Sequence, residues 1–357
     1  MERALSGRGV RAVPTGAMRR TQIAVFMAAS IVIAACSGDR ITDPLSPDGS
    51  ADAKRLPKGK TEPAPTAPGS TNPLAGLAFY LDPNSNARKQ ADAWLSSRPL
   101  DAAQMEKIAA RPQAKWLGSW LPDPSNEISR TLAYAAQQSE VPVLVAYNIT
   151  RLDCGTSGAQ SADAYRIWIS RFASAIGSAR AVVILEPDAL PAMGCLTAAL
   201  QQERVELLSY AVRTLKAQPG VTVYVDAGHP AWQSAAEMAR RLALAGIENA
   251  DGFSLNVSNF VSTEANASYG ADLSARVGGK HFVIDTGRNG FGPTPDYQWC
   301  NPSGRALGVE PGTLTAHRAL DAYLWIKPPG ESDGTCNGGP SGGSWWPEYA
   351  LGLAQRS

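Results

Sequence analysis

The chain has 357 residues, 44% hydrophobic and 18% charged, with 33 Lys and Arg against 32 Asp and Glu. That length holds one large domain or two ordinary ones, and the apolar share is ample for a buried core. A formal net charge of +1 excludes the strongly basic surface that a nucleic-acid partner demands.

The first element in the chain reads as an export signal. Arg19 and Arg20 precede the short apolar stretch Ile23 to Ala35, which is too short and too poorly flanked for a transmembrane helix. Residues 1–35 are therefore expected to be a signal peptide, with Met18 as an alternative start. The stretch ends in Ile33-Ala34-Ala35-Cys36, similar to a bacterial lipoprotein processing box in which the Cys carries the lipid; an ordinary secretory cleavage nearby is the alternative. Without residues 1–35 the chain keeps 28 basic and 31 acidic residues, a net charge near −3. Residues 36–74, the expected anchor and linker, are rich in Ser, Pro, Thr, Asp and Lys. They carry too few large apolar side chains to fold, so a tether is expected, or a leader without function. If Cys36 is lipidated, Cys154, Cys195, Cys300 and Cys336 remain; an even number in an oxidising compartment favours two disulfides, with three pairings open. No spacing resembles a zinc site.

From about residue 75 to 357 strand and helix signals alternate. Apolar runs at Pro142 to Tyr147, Ala181 to Leu185, Val221 to Val225 and His281 to Ile284 predict buried strands. Amphipathic stretches at Asn126 to Ser139, Ser161 to Ile176, Leu196 to Ala217 and Trp232 to Ala245 predict helices between them. The fold class expected is α/β, a single (β/α) barrel of parallel strands with its site at the strand C-termini. Several strands run straight into polar clusters: VAYNITRLDC, VILEPDALP, VYVDAGHPAW, GFSLNVSNF and VIDTGRNGFG. Carboxylates recur there, at Asp153, Glu186, Asp188, Asp226 and Asp285. Acids gathered at one barrel mouth with Trp and Asn, Asn256 among them, suggest carbohydrate chemistry. Glycosidic cleavage needs a carboxylic acid that stays protonated until it meets the leaving oxygen, usually with a second carboxylate beside it; burial and nearby negative charge supply that protonation. Metal binding by the same acids is the rival reading, but with no His spacing and no phosphate loop no metal or cofactor is expected.

Taken in order, the motifs resemble glycoside hydrolase family 6, the inverting cellulases. The segment Val182 to Pro191 (VVILEPDALP) is similar to the family's strand-EPD segment. Asp226-Ala227-Gly228-His229 with Trp232 is similar to its DAGH segment. Trp299 to Arg305 (WCNPSGR) and Leu324 to Gly334 (LWIKPPGESDG) complete the series. The resemblance runs from Phe79 and Tyr80 to the C-terminus and implies the family's distorted barrel. It implies Asp188 as general acid, Asp153 as the group that raises the acid's pKa and helps place water, and Asp333 as candidate base. It implies Ser157 as a holder of the water, although the loop is shortened. Tyr147 would lie under the distorted sugar, and Asp226, Lys327 and Glu331 would bind sugar hydroxyls. Trp116, Trp232 and Trp299 would be stacking platforms, since the apolar face of glucose stacks on aromatic rings. His229 would be a structural residue near the mouth or a sugar contact, and Trp94, Trp168, Trp345 and Trp346 core or loop packing. Asp285 and Arg288 either pair to shape the mouth or touch substrate. Glu186 would point opposite to Asp188 if the strand pleat continues. The resemblance also implies the pairings Cys154–Cys195 and Cys300–Cys336.

One departure bears on chemistry. The family pattern Tyr-x-x-Pro-x-Arg-Asp-Cys is here Tyr147-Asn148-Ile149-Thr150-Arg151-Leu152-Asp153-Cys154, so Leu152 replaces a cation beside Asp153 unless Arg151 swings in. A second feature concerns the roof of the groove. Cellobiohydrolases insert a long segment after the family's DG; here only Gly334 and Thr335 separate Asp333 from Cys336. The expected protein is therefore an open-cleft, monomeric endoglucanase acting on β-1,4-glucan, exported and lipid-anchored or secreted. A cellobiohydrolase, or a non-catalytic glucan-binding surface protein, is the alternative.

Overall fold

A computed structural model describes residues 71–357 apart from 153, 156 and 316. The expected signal peptide, Cys36 and most of the linker lie outside the described residues, as does Asp153.

Seven parallel strands stand side by side in chain order: β1 (Lys115–Gly118), β2 (Val143–Tyr147), β3 (Ala181–Leu185), β4 (Val221–Asp226), β5 (Gly252–Leu255), β6 (His281–Asp285) and β7 (Leu320–Leu324). Helices α1 (Asn86–Trp94) and α2 (Pro99–Ala109) precede the sheet. Crossovers are made by α3 (Ser125–Gln137), α4 (Ala162–Ile176), α5 (Ala198–Lys216), α6 (Ala235–Leu244) and α7 (Thr263–Arg276), and α8 (Pro347–Gln355) closes the chain. Local chemistry sets the helix starts. Ser85, Ser161, Thr197, Ser234 and Ser262 each accept a backbone N–H of the first turn of α1, α4, α5, α6 and α7.

Both sheet faces are buried, which explains the continuous apolar runs. Leu144, Val183, Leu185, Val223 and Ile284 pack outward against the crossover helices. Val145, Val182, Ile184, Tyr224 and Val283 alternate with them and fill the inside of a curled half-barrel. The sheet does not close by a ladder between β1 and β7. Across that seam the Ala114 N–H donates to Trp325 O at 3.0 Å and the Trp116 indole N–H to Ile326 O at 2.7 Å. Leu74 and Phe79 of the leading segment plug the inner core, and α1, α2 and α8 pack on one another around Trp325.

Two strands lack the sequence signal, for a physical reason. β1 (KWLG) is short and begins on a Lys. β7 (LDAYL) carries Asp321 inside it, fully buried, yet satisfied by Tyr224 Oη at 2.6 Å and His281 Nδ1 at 2.6 Å. A paired buried charge looks, in the sequence, like a solvent-facing one.

Candidate active site

The turns after β3 and β4 meet at the barrel mouth. β3 ends at Leu185, and the next residues leave the pleat: Glu186 and Asp188, either side of Pro187, both take positive φ (50° and 69°). Side chains other than glycine rarely hold that conformation, so something must fix it. The Asp226 carboxylate does so at Asp188, its Oδ2 accepting the Asp188 N–H at 3.0 Å and the Gly228 N–H at 3.3 Å, while Oδ1 accepts Ser254 Oγ at 3.3 Å. Asp226 is buried, and burial pushes its carboxyl up to about 7 against the hydrogen bonds that favour its charge. Asp188 itself is half-buried at the mouth. Gly228 allows the close approach: at φ +65° any Cβ there would meet the Pro191 ring at 2.8 Å.

Glu186 turns the other way. Its carboxylate is buried and accepts the N–H groups of Asn148 and Ile149, each at 2.9 Å to Oε2. Burial raises it to about 7, those two bonds opposing the shift. It therefore ties the loop after β2 to the turn that carries Asp188, and in this conformation it has no surface for a sugar. The buried Arg204 of α5 makes a second tie: Nη1 donates to Ala189 O at 2.9 Å, and Nη2 to Thr150 O and Arg151 O, each at 2.8 Å.

On the side of β1 and β7 the aromatic and cationic groups converge. The Trp116 and Tyr147 rings stand edge to face, with centroids 5.2 Å apart. Lys327 Nζ lies 5.6 Å from the centre of the Trp116 ring and donates to Ser332 O at 3.2 Å. Burial lowers the Lys327 ammonium and raises the Glu331 carboxyl, and the two charges act on each other. Asp285, at the end of β6, shapes this corner without facing the mouth. Its carboxylate accepts the backbone N–H groups of Ser258, Gly287, Ile326 and Lys327.

Asp333 is held by Arg288, whose Nη1 donates to Oδ2 at 2.8 Å, and by the Asn301 N–H, which donates to the same oxygen at 3.0 Å. Arg288, read from the sequence either as a partner of Asp285 or as a substrate contact, directs its guanidinium to Asp333, lies over the Phe260 ring at 4.4 Å and donates to Ser258 O. Both bonds to Asp333 fall on Oδ2, and its side chain is only 4% exposed. The Cys300–Cys336 disulfide closes this loop pair, and Cys154–Cys195 joins the loops after β2 and β3.

The remaining expected residues divide. Trp299 is exposed, on a loop that also exposes Phe291 and Tyr297, and Trp232 is partly exposed, 5.7 Å from the His229 ring. Burial pushes His229 down to about 4, so its imidazole is neutral near pH 7, and its Nδ1 has no partner among the described residues. Ser157 is exposed and its Oγ donates to Leu152 O at 3.3 Å. Asn256 departs from the expectation of a sugar contact. It is fully buried, its amide donating to Asp285 O at 2.9 Å and accepting Val261 N–H at 3.1 Å, so it pins the turn after β5. Arg151 is exposed and Leu152 packs into the outer core. Sequence reasoning missed Arg204, hidden in an ordinary helix pattern. It also missed Trp120, exposed just beyond the end of β1.

Comparison with known proteins meets this geometry. The family described as "Glycosyl hydrolases family 6" matches residues 74–357. Endoglucanase A of Cellulomonas fimi is 43% identical over 290 residues, covering 80% of this chain and 62% of that relative; the chain thus spans about three fifths of its length. Endoglucanase 1 of Streptomyces halstedii is 45% identical over 287 residues, covering 76% of this chain and 87% of the relative. Among solved structures, the endoglucanase Cel6 from Mycobacterium tuberculosis, in complex with methyl-cellobiosyl-4-deoxy-4-thio-β-D-cellobioside, is 46% identical. It superposes with a TM-score of 0.77 over 80% of this chain and 99% of that one.

Proposed function

The chain belongs to the glycosyl hydrolases of family 6, and from that premise we propose that it hydrolyses internal β-1,4 bonds of cellulose-type glucans with inversion. The observation that carries the proposal is Asp188, lifted from the end of β3 on a positive-φ turn and braced there by Asp226 at the barrel mouth. Asp188 donates the proton to the glycosidic oxygen as the bond to the anomeric carbon breaks. Asp333 is the candidate to take the proton of the water that attacks the opposite face. The family resemblance gives Asp153 the role of raising the acid's pKa. Trp116 and Tyr147 offer aromatic surface to the sugar beside the cleaved bond, Lys327 and Glu331 bind its hydroxyls, and Trp232 and Trp299 stack sugars further along.

Internal cutting is supported by the relatives named as endoglucanases and by the short connection from Asp333 to Cys336, which leaves no long insertion to roof the groove. Export is supported by the apolar stretch before Cys36 and by two disulfides in the folded region, and a lipid on Cys36 fits the processing box. The proposal is tested on soluble carboxymethylcellulose. Viscosity is expected to collapse while few reducing ends have formed, and NMR of early oligosaccharide products to show the α-anomer first. Steady release of cellobiose with little loss of viscosity indicates an exo-acting enzyme instead, and a β-anomer first contradicts inversion.

A further inference from the structure

The turn that carries Asp188 is held from behind by a residue that none of the chemistry above uses. After β3 the chain presents three successive carbonyls, at Ala189, Leu190 and Pro191, and each accepts a guanidinium N–H. Arg204 of α5 takes the first. Arg241 of α6 takes the other two, its Nη1 donating to Leu190 O at 2.7 Å and to Pro191 O at 2.9 Å. Pro191 O also accepts Gln233 Nε2 at 3.0 Å, from the segment that leads into α6. The helix that follows β4 thus reaches back to the turn that follows β3. The pattern of α6 explains how an arginine comes to lie there. Met238 and Leu242 are buried, and Arg241, three and one positions away on the same face, is 8% exposed. Its charge is met one turn earlier, where Glu237 Oε1 accepts Nε at 2.7 Å. One edge of the guanidinium is therefore fixed by a carboxylate, and the other is aimed at the turn. Charge-assisted bonds of this kind are roughly twice as strong as neutral ones.

What this clamp opposes is strain. Glu186 and Asp188 both hold a positive φ, a conformation that persists only where the surroundings over-determine it. On the amide side, Asp226 accepts the Asp188 N–H. On the carbonyl side the chain folds back at once: the Ala192 N–H donates to Asp188 O at 2.9 Å, and the Pro191 ring packs against Gly228. Arg241 holds the two carbonyls between those contacts. With them released, the turn is free to relax toward ordinary φ, and the Asp188 carboxyl moves with it. A misplacement of about 1 Å is enough to cost roughly 100-fold in rate.

We propose that Arg241 is a positioning residue for the proton donor: through Leu190 O and Pro191 O it holds the turn that aims Asp188 at the leaving oxygen. The proposal rests on the reading of Asp188 as general acid. Its test compares two substrates in the whole protein and its variants. Cellotetraose has a leaving sugar that needs a proton, and β-cellobiosyl fluoride has a leaving fluoride that does not. In Arg241→Met, at temperatures where it is folded, kcat for cellotetraose is expected to fall about tenfold or more with KM near wild type, while turnover of the fluoride stays within about twofold. Arg241→Lys is expected to restore part of the loss. Glu237→Gln keeps the guanidinium and loosens only its anchor, so a smaller fall with the same selectivity is expected, and this variant carries the test if Arg241→Met does not fold.

Unchanged cellotetraose turnover in every folded variant, or an equal fall on both substrates, overturns the proposal and leaves Arg241 a role in stability alone. Asp188→Ala separates the premise from the proposal. It is expected to show the same selectivity more strongly; if it loses both substrates alike, or neither, the general-acid reading itself fails, and the role of Arg241 with it.

Discussion

At the scale of single residues, the EPD turn separates two carboxyl groups only two positions apart. Asp188 stands half-buried at the mouth and Glu186 holds two loops together, and the motif points to the first more readily than to the second. A pleat argument does send Glu186 away from Asp188, but the strand has already ended. What sets the directions is the pair of positive φ angles and the buried N–H groups of Asn148 and Ile149, which no local pattern announces. Glu186 carries a measurable pH signature. Its folded pKa is raised by burial from 4.5 to about 7, so between those values the native state keeps a proton that the unfolded chain has lost. Stability from this group is full below the lower value and falls as pH rises to the upper one. Urea unfolding of wild type and Glu186→Gln should therefore show the wild-type advantage shrinking by about 3 kcal/mol from pH 4.5 to 7 and levelling above. Asp226 titrates in both proteins and cancels. An advantage that grows with pH contradicts the assignment.

Among elements, the loops after β2 and β3 are where the sequence and the structure differ most usefully. The missing family Arg beside Asp153 raises the question of which cation serves these loops. Arg151 is exposed, and Leu152 has joined the apolar layer under the helices. A buried guanidinium does reach this region, but it arrives from α5, where Arg204 binds carbonyls of both loops. Nothing in the spacing of an amphipathic helix tells a buried Arg from an exposed one. Arg204→Met leaves three carbonyls without a charged donor and should cost at least about 3 kcal/mol of stability. If Arg204 positions the loops as well as stabilising them, kcat falls about tenfold or more at temperatures where the variant is folded, KM for cellotetraose stays near wild type, and Arg204→Lys restores part of kcat. Unchanged kcat in the folded Met variant confines Arg204 to stability.

For the molecule as a whole, strand–helix alternation was enough to read a parallel barrel, because β2, β3, β4 and β6 are apolar on both faces. The incompleteness of the barrel was not legible. It depends on β1 and β7, whose polar residues are neutralised by partners far along the chain, such as Asp321 with Tyr224 and His281. The candidate residues Asp188 and Asp333 were reached through motifs in order; Arg288 as the partner of Asp333 was not legible, because 45 positions separate them.

The account turns on Asp188 as the proton donor, and it is tested most directly by turnover of carboxymethylcellulose with wild type and Asp188→Ala at equal folded concentration. A loss of at least about 100-fold is predicted, the lower end of what a general acid contributes. Equal rates in the two proteins would contradict the account.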